Sequence, residues 1–195
     1  MKSTDYYEQA CLKFPGIGQF HSRAELLHAA LLEGNPAVRS YVPQPLRVRV
    51  GSSYFIPDCF VSGEQEFIRE LKPRGEFEEE RHELLKQFFG LRNITFEVVS
   101  NEIIFEQEQL AKNWLMIMKS LKSGENISTD QSENWVMDKF LNDPTLAFGD
   151  VVEPGNRQES LRKEIATLRL LHRNKIKADL NLNRLDYDTE FYLCR

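Results

Sequence analysis

Two short motifs carry the side chains that metal-dependent hydrolysis needs. Pro57-Asp58 supplies one carboxylate, and Glu70-Leu71-Lys72 supplies a second carboxylate and an ammonium twelve residues after the first. Hydrolysis of a phosphodiester needs a divalent cation that polarises the phosphoryl oxygen and lowers the pKa of the attacking water. Hard Mg²⁺ prefers a few carboxylate ligands and keeps positions open for water. The two motifs therefore predict a metal-dependent nuclease site.

The second motif divides its tasks among three neighbouring residues if it lies on a strand. Residues two apart on a strand point to the same face, so Glu70 and Lys72 project together while the Leu71 carbonyl stays near the metal. We predict that Asp58, Glu70 and the Leu71 carbonyl bind Mg²⁺, for which Mn²⁺ substitutes. Lys72 is then placed to orient or deprotonate the attacking water, or to stabilise the charge of the transition state.

The residues around these motifs predict the elements that position them. Ser22 and Glu25 form a capping-box pattern ahead of apolar residues at helical spacing, which predicts a helix over about 23–33. Alternating apolar residues bounded by turn residues then predict three strands, at about 46–50, 54–61 and 66–72. The two motifs accordingly fall on the second and third strands of a meander that follows a helix.

The chain continues with a pattern that predicts one more helix, one more strand and a long final helix. These elements lie at about 77–89, 94–99 and 105–121. Together with the earlier elements they give the order helix, three strands, helix, strand, and they complete a predicted first domain at 1–122. Segment 123–134 is polar, with almost no apolar residue, and is typical of a linker between domains.

Residues 135–195 predict a small second domain. The pattern favours two helices, a short helix or turn at Gly149-Asp150, and two strands that form a wing. The helices lie at about 135–141 and 160–172, and the strands at about 178–180 and 189–193. This combination predicts a winged-helix-like domain that binds a partner or DNA.

The order of elements, with the two motifs on the second and third strands, resembles the restriction-endonuclease-like superfamily of PD-(D/E)xK nucleases. More narrowly, the chain is similar to the TnsA family, the endonuclease subunits of heteromeric transposases. The matching features are Glu25, Tyr41-Val42-Pro43-Gln44-Pro45, Tyr54-Phe55-Ile56-Pro57-Asp58, Ile68-Arg69-Glu70-Leu71-Lys72-Pro73 and His172-Arg173-Asn174-Lys175-Ile176-Lys177-Ala178-Asp179-Leu180. The core of the resemblance covers 22–99.

The resemblance implies an α/β fold, with a restriction-endonuclease-like mixed sheet flanked by helices in an αβββαβ core, and a small C-terminal helical, winged-helix-like domain. The family's positions around Mg²⁺ map onto Glu25, Asp58, Glu70 and Lys72. The implied function is a Mg²⁺-dependent DNA endonuclease that hydrolyses the non-transferred strand at transposon ends. The implied partners are double-stranded DNA, the transposase subunit TnsB and the AAA+ regulator TnsC, which the C-terminal module engages.

Composition and charge narrow the classes of function. A net charge of -5 over 195 residues argues against coating of nucleic acid by bulk electrostatics, so a DNA contact must be local or shared with partners. The one clear basic segment lies at 157–177, where either a DNA or partner contact or a solvated helix face is equally consistent with the pattern. The absence of a long apolar run or a signal-peptide pattern, and three widely spaced cysteines, predict a cytoplasmic protein. The resemblance to the TnsA family implies that it is bacterial and nucleoid-associated when acting.

Several residues have a structural interpretation beside the functional one. Glu25 completes the capping box whether or not it binds metal, and Glu66, on the face of Glu70, is a substitute ligand. Gln44 is either close to the site or only a turn residue. The four histidines show no ligand spacing, which favours surface or hydrogen-bonded helix positions. For the whole chain, the alternatives are a stand-alone repair, resolvase or restriction nuclease with the same site, and a non-catalytic scaffold that keeps the fold.

Overall fold

The computed structural model describes residues 5–153 and 155–194, and the chain divides into two compact units. The first unit ends at Glu108, and the second comprises the rest of the chain. Residues 1–4, which belong to the N-terminal segment considered for a signal peptide, lie outside the described part.

The first unit combines short strands with three α-helices and one short 3-10 helix (Pro73–Gly75) among its described residues. In chain order the elements are β1 (Tyr7–Ala10), β2 (Ile17–Phe20), α1 (Arg23–Gly34), β3 (Val38–Pro43), β4 (Val48–Val50), β5 (Ser53–Phe55), β6 (Cys59–Gly63), β7 (Glu66–Lys72), α2 (Glu79–Gly90), β8 (Ile94–Ser100) and α3 (Asn101–Glu106). The helix predicted at 23–33 and the strand Glu66–Lys72 are confirmed. The helix predicted at 77–89 and the strand predicted at 94–99 are also confirmed, within two residues at each end.

Four strands of this unit form one mixed sheet, in the order β3-β6-β7-β8. β6 runs antiparallel to both β3 and β7, whereas β8 is parallel to β7. A parallel pair needs a crossover connection, which α2 supplies between β7 and β8. The unit is therefore α/β, with a mixed sheet flanked by helices, as the sequence predicts.

An apolar cluster on one face of this sheet explains why α2 packs there. α2 places Leu85 and Phe89 on one side, four residues apart, and the sheet contributes Ile68 and Phe96 to the same cluster. Phe89 stacks on Phe96 with ring centroids 6.1 Å apart. Such aromatic pairs contribute about 0.5–1.5 kcal/mol beyond the burial of their area. Because side chains alternate along a strand, Glu70 projects from the same face as Ile68.

Two of the predicted core strands are wrong. The first strand of the sheet is Val38–Pro43 rather than 46–50, and the segment predicted as one strand at 54–61 divides into β5 and β6. The division falls at Pro57, which has no N–H for a ladder hydrogen bond and so cannot continue a central strand. β4 and β5 pair with each other in a separate hairpin, whose turn includes Gly51 at a φ of 60°. The proline that ends β3 is tolerated because β3 lies at the edge of the sheet.

The buried carboxylate of Glu33 joins the N-terminal hairpin, formed by β1 and β2, to α1. The sequence suggests no function for this hairpin. Glu33 is fully buried, and its Oε1 accepts hydrogen bonds from the Leu12 N–H at 2.8 Å and the Tyr41 hydroxyl at 3.0 Å. The Lys13 N–H donates to both carboxylate oxygens, at 3.1 and 3.2 Å. The Lys13 ammonium donates to the Leu32 carbonyl, and burial lowers its pKa to about 8 against the opposing charge of Glu33. This network ties the loop of the hairpin to the last turn of α1.

The second unit is a helical unit with one small sheet. In chain order its elements are α4 (Glu108–Ser123), α5 (Asp130–Lys139), β9 (Thr145–Ala147), α6 (Phe148–Val151), α7 (Arg157–His172), β10 (Ile176–Ala178) and β11 (Glu190–Leu193). β11 lies between β10 and β9 and is antiparallel to both. The two predicted final strands are confirmed within two residues, and the short helix predicted at Gly149-Asp150 is α6.

The two compact units divide after Glu108, about one helix before the boundary at residue 122 that the sequence predicts for the first domain. The helix predicted at 105–121 divides into α3 and α4, and α4 belongs to the second unit. Asn113 of α4 is fully buried and donates to the carbonyls of Leu180 at 2.9 Å and Asn183 at 2.7 Å. Its side-chain oxygen accepts from the Leu185 N–H at 2.9 Å. These buried hydrogen bonds join α4 to the loop between β10 and β11.

The segment 123–134, predicted to be a linker, is part of the second unit. The Arg169 guanidinium donates to the carbonyls of Gly124 at 3.0 Å and Ile127 at 2.8 Å, and to the Thr129 hydroxyl at 2.6 Å. Thr129 itself is buried. The segment has the polar composition of a linker, but several of its carbonyls accept hydrogen bonds from one arginine of the same unit.

The longest helices in the described part of the chain are α4 and α7, each of 16 residues. A helix needs about 20 predominantly apolar residues to cross a bilayer. Over residues 5–153 and 155–194, no helix combines the length and the apolar character that a membrane span requires.

Candidate active site

Asp58 lies directly before β6 and contacts the backbone of β7. The ladder between these strands ends where Cys59 faces Arg69, and beyond it the Leu71 N–H donates to Asp58 Oδ2 at 2.7 Å. In the same register the residue opposite Leu71 would be Pro57, which has no N–H to donate to the Leu71 carbonyl. The N–H and C=O of one strand residue point to the same side of the strand, so this carbonyl faces the side of Asp58. Pro57-Asp58 therefore places the Asp58 carboxylate beside the Leu71 carbonyl. In the same register, the segment before β6 has no N–H at Pro57 to donate to this carbonyl.

Glu70 and Lys72 project from the same face of β7, as the period of a strand predicts. The Lys72 ammonium lies 2.7 Å from Glu70 Oε1. Glu70 is only 6% exposed, and its Oε2 has no hydrogen-bond partner among the described residues. A buried carboxylate oxygen without a donor costs free energy unless a ligand or charge contacts it. Glu70 can therefore offer this oxygen to a cation.

Electrostatic interactions with Asp58 link the predicted residues. Burial raises the pKa of Asp58 to about 7, and the charge of Glu70 adds to the rise. The Leu71 N–H and the Lys72 ammonium oppose this rise, whereas the charge of Glu25 contributes to it more weakly than that of Glu70. Two neighbouring carboxylates whose repulsion is incompletely compensated favour a bound proton or a cation. The other four predicted residues therefore all act on the Asp58 carboxyl.

Glu25 has the structural role that the capping-box pattern predicts. Its N–H donates to the Ser22 hydroxyl oxygen at 3.2 Å, and the same hydroxyl donates to Glu25 Oε1 at 2.9 Å. The His21 N–H donates to Oε2 at 3.1 Å. Glu25 also lines a small cavity together with Asp58 and Leu71. Its carboxylate therefore borders the site while it caps α1.

The donor atoms of the site fit a hard divalent cation. Asp58, Glu70 and the Leu71 carbonyl supply only oxygen ligands, which Mg²⁺ and Mn²⁺ prefer. In this structure Lys72 pairs with Glu70, and no group of three or more His, Cys, Asp or Glu side chains is arranged for a metal within 5–153 and 155–194. Asp58, Glu70 and the Leu71 carbonyl are the groups that would hold Mg²⁺, whose charge would offset the repulsion between the two carboxylates.

No protein-family model matches this chain, and no curated protein matches it. The resemblance to the TnsA family thus depends on the motif residues themselves. Their geometry, rather than a relative, is the basis for assigning a function.

The backbone of Gln44 helps to position Asp58, whereas Glu66 lies away from the site. Gln44 follows β3 with a φ of 42°, which is uncommon for a residue with a Cβ, and its N–H donates to the Asp58 carbonyl at 3.0 Å. The positive φ agrees with the interpretation of Gln44 as a turn residue, and the hydrogen bond places its backbone beside Asp58. Glu66 is exposed at the opposite end of β7, roughly 13 Å along the strand from Glu70. It is therefore not brought to the site.

His28 is a neighbour of the site that the sequence interpretation missed. It is buried, lines the same cavity as Glu25 and Asp58, and its Nε2 lies 3.4 Å from the Arg69 guanidinium. Burial, reinforced by the charge of Arg69, lowers the pKa of His28 to about 3, so the imidazole is neutral near pH 7. Arg69 is balanced by Glu97 at 3.0 Å on the adjacent strand. The available signal was the position of His28 one helical turn after Glu25.

The basic segment 157–177 makes several contacts inside the second unit. In addition to Arg169, Lys163 lies over the Trp135 ring with its ammonium 4.1 Å from the centroid. Arg173 pairs with an acidic residue of α5 at 2.9 Å. The side chain of Arg157 lies outside the described residues. Part of the positive charge of this segment therefore stabilises the second unit itself.

Proposed function

We propose that this chain is a Mg²⁺-dependent DNA endonuclease. The observation that carries the proposal is the hydrogen bond from the Leu71 N–H to Asp58 beside the ion pair of Glu70 and Lys72. The set supplies two carboxylates, a carbonyl and an ammonium at one place. When bound, Mg²⁺ supplies polarisation of the phosphoryl oxygen and a lowered pKa of the attacking water.

The protein groups have separate tasks in this proposal. Asp58, Glu70 and the Leu71 carbonyl hold the cation, and Glu25 completes the metal shell or a second site. A ligand carboxylate must be deprotonated, so the raised pKa of Asp58 makes metal affinity increase with pH around neutrality. As an ammonium, Lys72 orients the attacking water or stabilises the negative charge of the transition state, whereas deprotonation of the water requires its neutral amine form.

The order of elements supports a restriction-endonuclease-like fold for the first unit. α1, β3, β6, β7, α2 and β8 follow the αβββαβ order, with Asp58 at the second strand and both Glu70 and Lys72 on the third. Within that superfamily, the motifs favour a TnsA-like subunit of a heteromeric transposase, which hydrolyses the non-transferred strand at transposon ends. Its partners would be the transposase subunit TnsB and the regulator TnsC.

The order of elements in the second unit favours a role in binding a partner or DNA. From α5 onward its order is helix, strand, helix, helix, strand, strand, and its sheet has the third strand in the centre. This arrangement is typical of a winged-helix domain. We assign to it the contact with the regulator or with DNA.

Calorimetric titration with Mn²⁺ tests the metal site without requiring partners. The wild type should bind Mn²⁺, and Asp58→Ala and Glu70→Ala should lose this binding because each removes a ligand. Glu66→Ala is the matched control, since it removes a carboxylate from the same strand but away from the site. Equal binding by all four proteins, with and without duplex DNA, would contradict the proposed site.

Cleavage of a transposon-end duplex, with the partner subunits present, tests the activity. Asp58→Ala should abolish cutting, and Lys72→Ala should slow it by about 10²–10⁴-fold if the lysine takes part in proton transfer. Far-UV circular dichroism should show that both variants keep the fold. Normal cutting by Asp58→Ala would overturn the assignment. Robust cutting without partners would instead favour a stand-alone nuclease, and metal binding without cutting would favour a scaffold.

A further inference from the structure

The hairpin of β4 and β5 is attached to the mixed sheet by one face. The two strands form their own sheet and are not hydrogen-bonded into the mixed sheet. The inward side chains Val50 and Phe55 are buried in one apolar cluster with Ile68 of β7. Ile68 shares its face of β7 with Glu70 and Lys72. The hairpin therefore covers the face of the sheet from which these two site residues project.

The outer face of the hairpin carries two arginines and a tyrosine. Arg49 and Tyr54 face each other across the strands, and the Arg47 guanidinium lies 3.9 Å from the centroid of the Tyr54 ring. Tyr54 is 56% exposed, and both arginines are exposed. Among the described residues, neither arginine has a carboxylate within ion-pairing distance. Arg69, by contrast, is paired with an acidic side chain.

The hairpin and the site are also adjacent along the chain. Tyr54 is four residues before Asp58, and Ile56 between them is 52% exposed. A fully extended chain places the Cα atoms of Tyr54 and Asp58 at most roughly 14 Å apart. Duplex DNA spans that distance in about four base pairs. A duplex that contacts the outer face can therefore also reach the site.

We propose that the outer face of the hairpin, formed by Arg47, Arg49 and Tyr54, binds the phosphate backbone of duplex DNA and positions the strand to be cut. The positioning role depends on the proposed nuclease function, whereas binding of DNA by this face does not. Guanidinium groups donate paired hydrogen bonds to phosphate oxygens, and stacking on Tyr54 orients Arg47 before DNA arrives. The chain has a net charge of -5, so attraction to DNA must be local. The two arginines, which have no acidic partner in the described part of the chain, supply this local attraction.

Fluorescence anisotropy with a labelled duplex of mixed sequence tests this surface on the full chain. We expect the double variant Arg47→Ala/Arg49→Ala to bind at least about tenfold more weakly than the wild type at low salt. A plot of log affinity against log salt concentration has a negative slope, and each phosphate contact contributes roughly 0.9 to its magnitude. Loss of two contacts should therefore reduce the magnitude of the slope by about two. Phosphate contacts position DNA without reading bases, so the loss should be the same for duplexes of different sequence.

Two further variants separate the contact from general effects of charge. Arg92→Ala is the matched control, because Arg92 also stacks on an aromatic ring, Phe88, at 4.1 Å, but at the end of α2. It should bind the duplex with wild-type affinity. Arg47→Lys/Arg49→Lys keeps both charges and should recover most of the salt slope, while losing the paired geometry of the guanidinium groups.

Four outcomes would overturn the proposal: unchanged affinity and salt slope in the double alanine variant, an equal loss in Arg92→Ala, no binding by the wild type at low salt, or tighter binding to RNA than to the duplex. Asp58→Ala distinguishes this surface from the nuclease function, since it should still bind the duplex while failing to cut. If Asp58→Ala fails to cut and the double variant binds normally, only the role of the hairpin is wrong. If the double variant loses binding and the wild type never cuts, only the nuclease function is wrong.

Discussion

Two buried carboxylates of the first unit, Glu33 and Glu70, have opposite surroundings. They are 0% and 6% exposed, respectively. Glu33 accepts hydrogen bonds from two backbone N–H groups and a tyrosine hydroxyl. Glu70 has one ammonium partner and an oxygen without a hydrogen-bond partner in the described part of the chain, and its charge raises the pKa of Asp58.

The difference separates a carboxylate that stabilises the fold from one that is suited to bind a ligand. Burial of a charged group costs free energy unless nearby donors compensate for the lost water. The chain supplies that compensation at Glu33 through donors that only the folded state brings together. At Glu70 and Asp58 the compensation is incomplete, a pattern that is typical of functional sites. A bound cation would complete it.

The largest expected effect is the loss of stability in Glu33→Gln. All the hydrogen-bond partners described for Glu33 are donors, so the amide NH₂ of glutamine would face a donor and leave one group unsatisfied. We expect the free energy of unfolding to fall by about 2–4 kcal/mol. Urea denaturation followed by far-UV circular dichroism measures it. The fluorescence of Trp114 and Trp135, both in the second unit, monitors that unit separately. An unchanged midpoint would mean that Glu33 is not a structural carboxylate.

An intermediate and pH-dependent gain of stability is expected for Asp58→Asn in metal-free buffer. The pKa of Asp58 rises from 3.8 to about 7 on folding, so the folded protein keeps a proton that the unfolded chain has lost between these values. The stabilisation from this proton is complete below about pH 4 and is lost as the pH rises through about 7. Asparagine still accepts from the Leu71 N–H but carries no charge. We expect the variant to exceed the wild type by about 1–3 kcal/mol near pH 8 and by much less near pH 4.

Urea midpoints of both proteins across this pH range provide the measurement. A difference between Asp58→Asn and wild type that does not change with pH would show that the carboxyl is not destabilised in its charged form. The same series with Mn²⁺ should reverse the order near neutral pH, because only the wild type gains stability from a bound ion.

The smallest expected effect is that of Glu70→Gln, the same substitution as at Glu33. The amide NH₂ can take the place of Oε2, which has no donor partner to lose in the described residues, and the amide oxygen can still accept from Lys72. We expect the free energy of unfolding to change by less than about 1 kcal/mol in metal-free buffer. A loss as large as that of Glu33→Gln would remove the distinction between the two carboxylates.

Local patterns predict the elements of the first unit better than they predict which strands pair. The capping box and apolar spacing suffice for α1, and Glu66–Lys72 is recognisable from its alternation. The strand β4 alternates just as well, because Val48 and Val50 do face an apolar cluster. Alternation reports which side of a strand is buried, whereas pairing depends on residues far apart in the chain. Alternation therefore predicts a core strand at 46–50, where the structure has β4 of the separate hairpin.

In the candidate site, too, local sequence patterns predict some features, whereas others depend on contacts between residues far apart in the chain. The types and spacing of Asp58, Glu70 and Lys72 could be predicted, since a strand fixes which side chains project together. Two features could not be predicted because they depend on tertiary packing: the position of His28, and the Glu70 oxygen that has no hydrogen-bond partner among the described residues. The sequence predicts a boundary at residue 122 and the compact units divide after Glu108, because a polar segment held by Arg169 has the same composition as a free linker.

The separate hydrogen bonding of the β4 and β5 hairpin has a consequence for how such a protein can diverge. The hairpin is inserted between β3 and β6 without contributing a hydrogen bond to the ladder that sets Asp58 against Leu71. Its length and outer residues can change while the register between β6 and β7 at the candidate site is kept. Selection, or protein engineering, can therefore vary this insertion without changing the strands that position Asp58 and Glu70. Under the proposed function, such changes would alter DNA binding separately from hydrolysis.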